Sequence, residues 1–380
     1  MNKLLFMACV LSQFVYAELK FERSEIFSGE VVHSAQVWDY DGNGHGDIIF
    51  TANRQLNLAM GPEYKVKAVL DMPSDFKKQA IHSRLMDVDG DGDMDFVGTG
   101  LGIYWVECPD TPTDQWTFHQ ITLDFSACHC VLIADADEDG KLDIIVNNFR
   151  PEQTKAPKGP TKNLFHSSIV CYPIPAKPRD PKAWKAYPLA DKDAPGGSHY
   201  MSMADIDGDG KKEMFVGAKG EPFENGNYFA IWKAGNNRLK PWEKVKVFNE
   251  QIGATHMYGA DINGDGKNDL IASRGHGKGL VWFKAPEFKA IEIDQELDRP
   301  HTMDIADVDA DGDIDLVACG NDSRRLEWYE NDGKGNYTRH IISKDQTAYD
   351  VRIRDINGDG KLDFLLGGWK EKNVRIYFQK

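Results

Sequence analysis

The sequence predicts an all-β fold, a seven-bladed β-propeller, from three observations. An acidic nine-residue unit recurs seven times, an apolar run follows every copy, and the repeat step centres near 48 residues. The copies begin at Asp39, Asp87, Asp135, Asp205, Asp261, Asp307 and Asp355, at steps of 48, 48, 70, 56, 46 and 48 residues. A period of this size filled with short strands is that of a propeller blade. The runs behind the units, such as Ile48-Ile49-Phe50, Ile144-Ile145-Val146 and Phe364-Leu365-Leu366, read as strands.

Each unit places oxygen-bearing side chains at positions 1, 3, 5 and 9 around glycines that let the backbone turn. In order along the chain they are Asp39, Asp41, Asn43 and Asp47; Asp87, Asp89, Asp91 and Asp95; Asp135, Asp137, Asp139 and Asp143; Asp205, Asp207, Asp209 and Glu213. The last three sets are Asp261, Asn263, Asp265 and Asp269; Asp307, Asp309, Asp311 and Asp315; Asp355, Asn357, Asp359 and Asp363. Hard oxygen ligands at this spacing suit Ca²⁺, but an EF-hand would close with Glu at position 12 and continue as a helix. A strand follows here, so the expectation is a calcium loop in a β-hairpin, one per blade and up to seven ions. Glu213 in blade four and Ala310 in blade six depart from the pattern, and those loops are expected to bind more weakly.

Between the loops each repeat supplies further strands, for example Ile103-Tyr104-Trp105-Val106 and Trp116 to Ile121 in the second. Strand A precedes the loop, B follows it, then C and D. The seventh repeat stops after strand C, Val374 to Phe378, whereas Phe21 to Phe27 stands ahead of the first loop as Tyr337 to Ile342 stands ahead of the seventh. The N-terminal strand is therefore expected to complete the last blade and close the ring, which removes an open sheet edge. Two stretches, Asn148 to Pro181 and Gly220 to Asn227, break the period and read as insertions in one domain spanning residues 18–380.

Residues 1–17 carry Lys3, an apolar core from Leu4 to Val15 and the small-residue end Val15-Tyr16-Ala17, the features of a signal peptide. This predicts an exported protein, periplasmic or secreted, with no membrane span. The formal net charge of −15 lies mostly in the repeated loops, and seven divalent ions would bring the chain close to neutrality. Nothing basic remains to bind nucleic acid. Without Cys9, five cysteines are scattered over the body, an odd number that argues against a disulfide scaffold. A monomer is expected.

Strand A begins at the end of the ring opposite the acidic loops, and there His33, His82, His129, His199, His256 and His301 recur, with Tyr349 in the seventh blade. Four of the histidines lie six residues before their loop; His82 and His256 lie five before. A one-residue shift turns a strand face over, so the six converge only if the strand starts bulge. A ring of imidazoles is the ligand type of Zn²⁺ and, among other first-row ions, Mn²⁺; the alternative is that each His simply holds its own turn. The B–C connections at the same mouth contribute Arg54, Asn147 with Arg150, Lys219, Arg274 with His276, Asn321 with Arg324, and Trp369 with Lys370. Inside strand A, Gln36, Arg84, Tyr258, Asp304 and Arg352 share the position three before the loop, either lining the channel or bonding between blades. A cationic, His-lined mouth suits an anionic or hydroxyl-rich ligand such as a carbohydrate.

The loop D-x-[DN]-x-[DN]-G-x-x-[DE] with its apolar run resembles the FG-GAP/VCBS repeat of seven-bladed propellers over nearly all of Glu18 to Lys380. With the His at the head of strand A, the chain is similar to the propeller of aldos-2-ulose dehydratases and, more distantly, to propeller polysaccharide lyases of the oligogalacturonide and ulvan type. The resemblance implies β-elimination from a uronic or keto-sugar in the central cleft, by a carbon–oxygen lyase. In that chemistry Arg84, Arg150, Arg274 and His276 with a His-bound metal would stabilise the enolate, and Tyr349, Tyr200 or Tyr258 would move protons. The rival expectation is a non-catalytic, calcium-stabilised propeller that holds glycans or a protein partner.

Overall fold

The computed structural model describes residues 19–76, 80–124, 128–149, 168–194, 197–220 and 226–380. The signal-peptide reading of residues 1–17 lies outside them, as does Arg150. Over the described residues, 28 strands form seven four-stranded sheets, with one turn of 3-10 helix at Ser74–Phe76. No helix among these residues is long and apolar enough to cross a membrane.

Every sheet has the same plan. In blade two, strands A to D are His82–Met86, Asp95–Thr99, Ile103–Glu107 and Thr117–Thr122, each antiparallel to the next. The B strands are buried throughout, as at Asp47–Ala52 and Asp143–Asn148, because neighbouring blades cover both faces. The outer D strands alternate, as at Glu243–Phe248, where one face meets solvent. Apolar clusters fill the spaces between blades; one joins Val32, Ile48 and Phe50 of blade one to Leu365, Val374 and Ile376 of blade seven.

Blade seven combines both ends of the chain. Strands Asp350–Arg354, Asp363–Gly367 and Asn373–Gln379 are followed outward by Phe21–Ser28, which runs antiparallel from Phe21 opposite Gln379 to Ser28 opposite Asn373. Arg375 pairs with Glu25 at 2.9 Å, Arg23 pairs with Asp345 at 2.7 Å, and the Phe21 ring stacks on Phe364 at 4.6 Å.

The stretch from Asn148 to Pro181 is not one insertion. Its middle, Ile169–Pro173, is strand C of blade three, paired with Asp143–Asn148 from Asp143↔Pro173 to Asn147↔Ile169. Proline and lysine on either side hide this five-residue strand in composition. The five cysteines of the body are all buried.

Candidate functional site

The seven acidic loops share one backbone bond. The N–H of the position-6 glycine donates to the position-1 carboxylate in every blade, from Gly44 to Asp39 at 2.9 Å through Gly360 to Asp355 at 2.9 Å. Position 4 lies in the left-handed region throughout, and Glu138 (φ 62°) and Ala310 (φ 61°) adopt it without being glycine. The closing carboxylates are buried and staple the loop to strand C: Asp95 accepts the N–H groups of Val88 and Cys108, both at 2.9 Å. Burial, with neighbouring carboxylates adding to it, pushes Asp95 and Asp315 up to about 7 and Asp143 up to about 6. In blades one to four, positions 1, 3 and 9 bring one oxygen each to within 4.8 Å of the others.

Blade four differs. The Lys233 ammonium, one turn of hairpin away, donates to Asp209 at 2.8 Å, lies 3.4 Å from Glu213 and also bonds Asp207. A resident cation thus sits among ligands 3, 5 and 9 of that loop. In blade two, by contrast, Arg179 touches only Asp89 of the loop.

At the opposite mouth the difference between five and six residues proves decisive. His82 and His256 sit in regular ladders opposite Thr99 and Ser273. In blades three, four and six the ladder slips, between Cys128 and Val131, Ser198 and Met201, and Pro300 and Thr302. His129, His199 and His301 are left without ladder partners at these bulges, which re-aim side chains. One nitrogen from each of the three comes within 4.8 Å of the others. The His129 and His199 ring centroids are 4.4 Å apart, and those of His199 and His301 5.4 Å.

The donor set fits a late first-row metal ion. The Nδ1 atoms of His129 and His301 are sealed from solvent without a hydrogen-bond partner. His199 donates from Nδ1 to the Gly197 carbonyl at 2.5 Å, which leaves the lone pair on Nε2; a backbone carbonyl holding the far nitrogen in this way is common for metal-bound imidazoles. Burial, with the nearby His33 and Lys219, lowers His129 to about 3, and burial also drives His199 and His301 well down. Neutral imidazoles are what ligation requires.

Around this triad stand His276, whose Nε2 lies 2.8 Å from His199 Nε2, and Tyr349, whose ring meets His301 at 4.6 Å and His33 at 4.7 Å. His33 therefore belongs to the mouth, beside Tyr349. Three more residues contribute: Trp369, named from sequence only within its B–C connection, and Arg299 and Phe149, which sequence did not single out. Arg299 reaches His276 Nδ1 at 3.5 Å and covers the Trp369 ring, Trp369 packs on Tyr349 at 4.9 Å, and Phe149 stacks on His129 at 5.2 Å. Arg299 occupies a position eight before its loop, outside the repeating pattern, and only its left-handed backbone (φ 56°) marks it as unusual.

Other expected site residues are placed elsewhere. Arg274 is held away from the mouth by Glu292, at 2.7 and 2.8 Å, and by Gln251 at 3.0 Å. Asn147 is framework: its Oδ1 accepts the Cys130 N–H and its Nδ2 donates to the His199 carbonyl at 2.6 Å, tying two bulges together. Tyr200 spans the channel. Its ring meets His82 at 5.1 Å, His256 at 4.6 Å and His301 at 5.7 Å, and its hydroxyl donates to the Tyr349 carbonyl at 2.5 Å. With that proton committed and burial pushing its pKa well up, Tyr200 is a partition and is not suited to proton transfer. His82, His256, Arg84 and Tyr258 lie beyond it, on the loop side; Tyr258 donates to Asp304 at 3.2 Å.

Comparison with known proteins agrees with this architecture. The FG-GAP-like repeat family matches residues 205–272 and 307–366. No curated protein matches the chain. Among solved structures, an Agrocybe aegerita lectin that recognises non-reducing terminal N-acetylglucosamine is 16% identical, with a TM-score of 0.53 over 93% of this chain and 86% of its own. YCF48 bound to D1 peptide is 10% identical, TM-score 0.56, covering 94% of each chain. BBS1N in complex with ARL6DN is 8% identical, TM-score 0.60, over 95% of this chain and 96% of its own. At these identities the likeness concerns the fold alone. The chain is a seven-bladed β-propeller that carries FG-GAP-like repeats.

Proposed function

We propose that the protein is an exported carbon–oxygen lyase or dehydratase that carries out β-elimination on a uronic or keto-sugar at the histidine-lined mouth. The observation that carries this reading is the convergence of His129, His199 and His301, two of them with orphaned buried nitrogens. These three would hold Zn²⁺ or Mn²⁺, which supplies Lewis acidity toward a carbonyl or carboxylate oxygen when bound. Tyr349 is placed to move the proton: it is half-buried beside the triad, and its hydroxyl makes no hydrogen bond among the described residues. Burial raises its pKa, and the Arg299 guanidinium opposes that rise. Arg299, anchored by Asp322 at 3.4 Å, and Lys219, over the Phe149 ring, give the rim positive charge for an anionic sugar.

The test is metal analysis with an activity screen. Elemental analysis is expected to find about one zinc or manganese per chain besides calcium. His129→Ala/His199→Ala should lose that ion and stop formation of unsaturated product, read by absorbance of the new double bond, while the fold survives. Tyr349→Phe should keep the ion and lose about 10²- to 10⁴-fold in kcat. If the purified protein holds calcium alone and takes up neither zinc nor manganese, the metal-assisted reading fails. The same mouth then serves a binding propeller, a use in keeping with the sugar- and peptide-bound propellers of like fold.

For the acidic loops we propose calcium in six, with Lys233 serving as the cation of blade four. Lys233→Met is expected to raise the calcium content by one ion per chain. Unchanged stoichiometry would show that the ammonium does not take the ion's place.

A further inference from the structure

We propose that the channel contains a second binding site, an oxyanion cup entered from the acidic-loop face and floored by Arg84, Arg352 and the Nε2–H of His82. The cup is separate from the histidine mouth, because Tyr200 lies between them, and it stands independently of the lyase reading.

The case begins with His82. Its Nδ1 accepts the backbone N–H of Val131 at 3.0 Å, a donor that cannot reverse its role. A neutral imidazole carries one proton, so that proton is on Nε2. Burial, then the charges of Arg84 and Arg352, keep the ring neutral. Yet Nη1 of Arg84 stands 2.8 Å from this Nε2, and Nη2 of Arg352 stands 3.4 Å from it. Arginine has donors only. Three donors from blades two and seven therefore face one point with no acceptor between them.

The nearby carboxylates do not relieve this. Asp350 pairs with Arg352 at 2.9 Å and accepts the Ser34 hydroxyl at 2.7 Å. Asp304 is occupied by the Tyr258 hydroxyl at 3.2 Å and by the N–H groups of Ile353 and Ile305 at 3.0 and 3.1 Å. Among the described residues Arg84 has no carboxylate within ion-pair distance; its one acceptor is the Ser83 carbonyl at 2.9 Å. Asp350, at ion-pair distance from Arg352 alone, is the charge the two guanidinium groups share, and an anion that accepts from all three donors gives Arg84 the direct partner it lacks.

Access comes from the loop side. On strand A, the positions five before the loop are buried in every blade, those three before are partly open at Arg84, Leu132 and Tyr258, and those one before are at least partly open in every blade but the second, where Met86 is buried. That last ring is Ala134, Ala204, Ala260 and Ala306 with Met86, Trp38 and Arg354. The four alanines are short, and each packs against an apolar cluster between blades. Trp38, 44% exposed, and Arg354 stand on adjacent blades at the rim. The chemical class this arrangement takes is a small oxyanion: an inorganic one such as sulfate, or the carboxylate of a sugar acid.

The calcium-loaded full chain would be melted at constant ionic strength while chloride is exchanged for sulfate or, separately, for glucuronate. A saturable rise in the midpoint with either anion is expected, and which of the two acts identifies the source of the charge. Arg84→Gln should weaken the response at least about tenfold, yet melt in chloride no lower than the unaltered protein, because it removes a positive charge that has no carboxylate within ion-pair distance. The His129→Ala/His199→Ala protein should respond as the unaltered one does, which separates this cup from the mouth. Sulfate and glucuronate both indistinguishable from chloride, an equal response from Arg84→Gln, or a large loss of stability in Arg84→Gln under chloride would each overturn the proposal.

Discussion

Removal of calcium with a chelator is expected to lower the melting temperature by on the order of 20 °C. Each ion held at a hundredfold excess over its Kd stabilises the native state by about 2.7 kcal/mol. Six such ions would supply about 16 kcal/mol, and a chain of this length has an unfolding entropy that converts this sum to roughly that interval. The loops show why an ion bound there would matter: Asp95, Asp315, Asp143 and Asp363 are buried, crowd against other carboxylates and are all pushed up, to between about 6 and about 7. Because their folded pKa values exceed the ordinary carboxylate value, these four groups bind more protons in the metal-free native state than in the unfolded chain, and the stability they contribute is present at low pH and lost as pH rises through about 6 to 7. The buried histidines of the mouth, all driven down, act in the opposite sense over the same range, with calcium or without it. The gap in melting point between calcium-loaded and chelated protein should therefore narrow on acidification from pH 7.5 toward 5.5. An unchanged melt after verified calcium loss would remove the ion from the account of stability.

Deletion of residues 19–28 is expected to abolish the cooperative transition or to leave the protein aggregated. The outer strand of blade seven would go, and Asn373–Gln379 would become an unpaired edge. The Glu25–Arg375 pair, the Phe21–Phe364 stack and the Phe27–Phe50 contact at 5.1 Å, which reaches blade one, would go with it. Size-exclusion chromatography and a thermal melt decide it. A monomeric, equally stable truncated chain would mean that the ring does not depend on its first strand. Adding the missing segment back as a peptide should restore the transition in part, since the edge it leaves has a defined register.

The repeat made most of the fold legible in sequence. Seven copies of one loop give blade number and strand order, because each copy carries its own ligands and its own buried B strand. What escaped was set by pairs of strands and not by one. The bulges that gather His129, His199 and His301 depend on what stands opposite, Asn147 in one case, and spacing alone records only a shift from five residues to six. Lys233 is an ordinary strand-C lysine by sequence, and only the hairpin brings it to Asp209 and Glu213. Arg274 and Arg299 lie in equally basic connections, but Glu292 withdraws the first and Asp322 leaves the second at the rim. Charge in a loop says little until its counter-ion is known.

The reach of Tyr200 makes the axis of this ring a cul-de-sac. One phenol from blade four, anchored on the far side at the Tyr349 carbonyl, closes the route from face to face. A polymer cannot be threaded through such a molecule, and a ligand that enters by the histidine side must leave by the same door. A dead end of that shape admits the tip of a chain or a free small sugar and shuts out the middle of a long strand. Under the lyase reading proposed above, exo-type trimming is the mode of action such a shape permits, with each departure vacating the place that the next arrival needs.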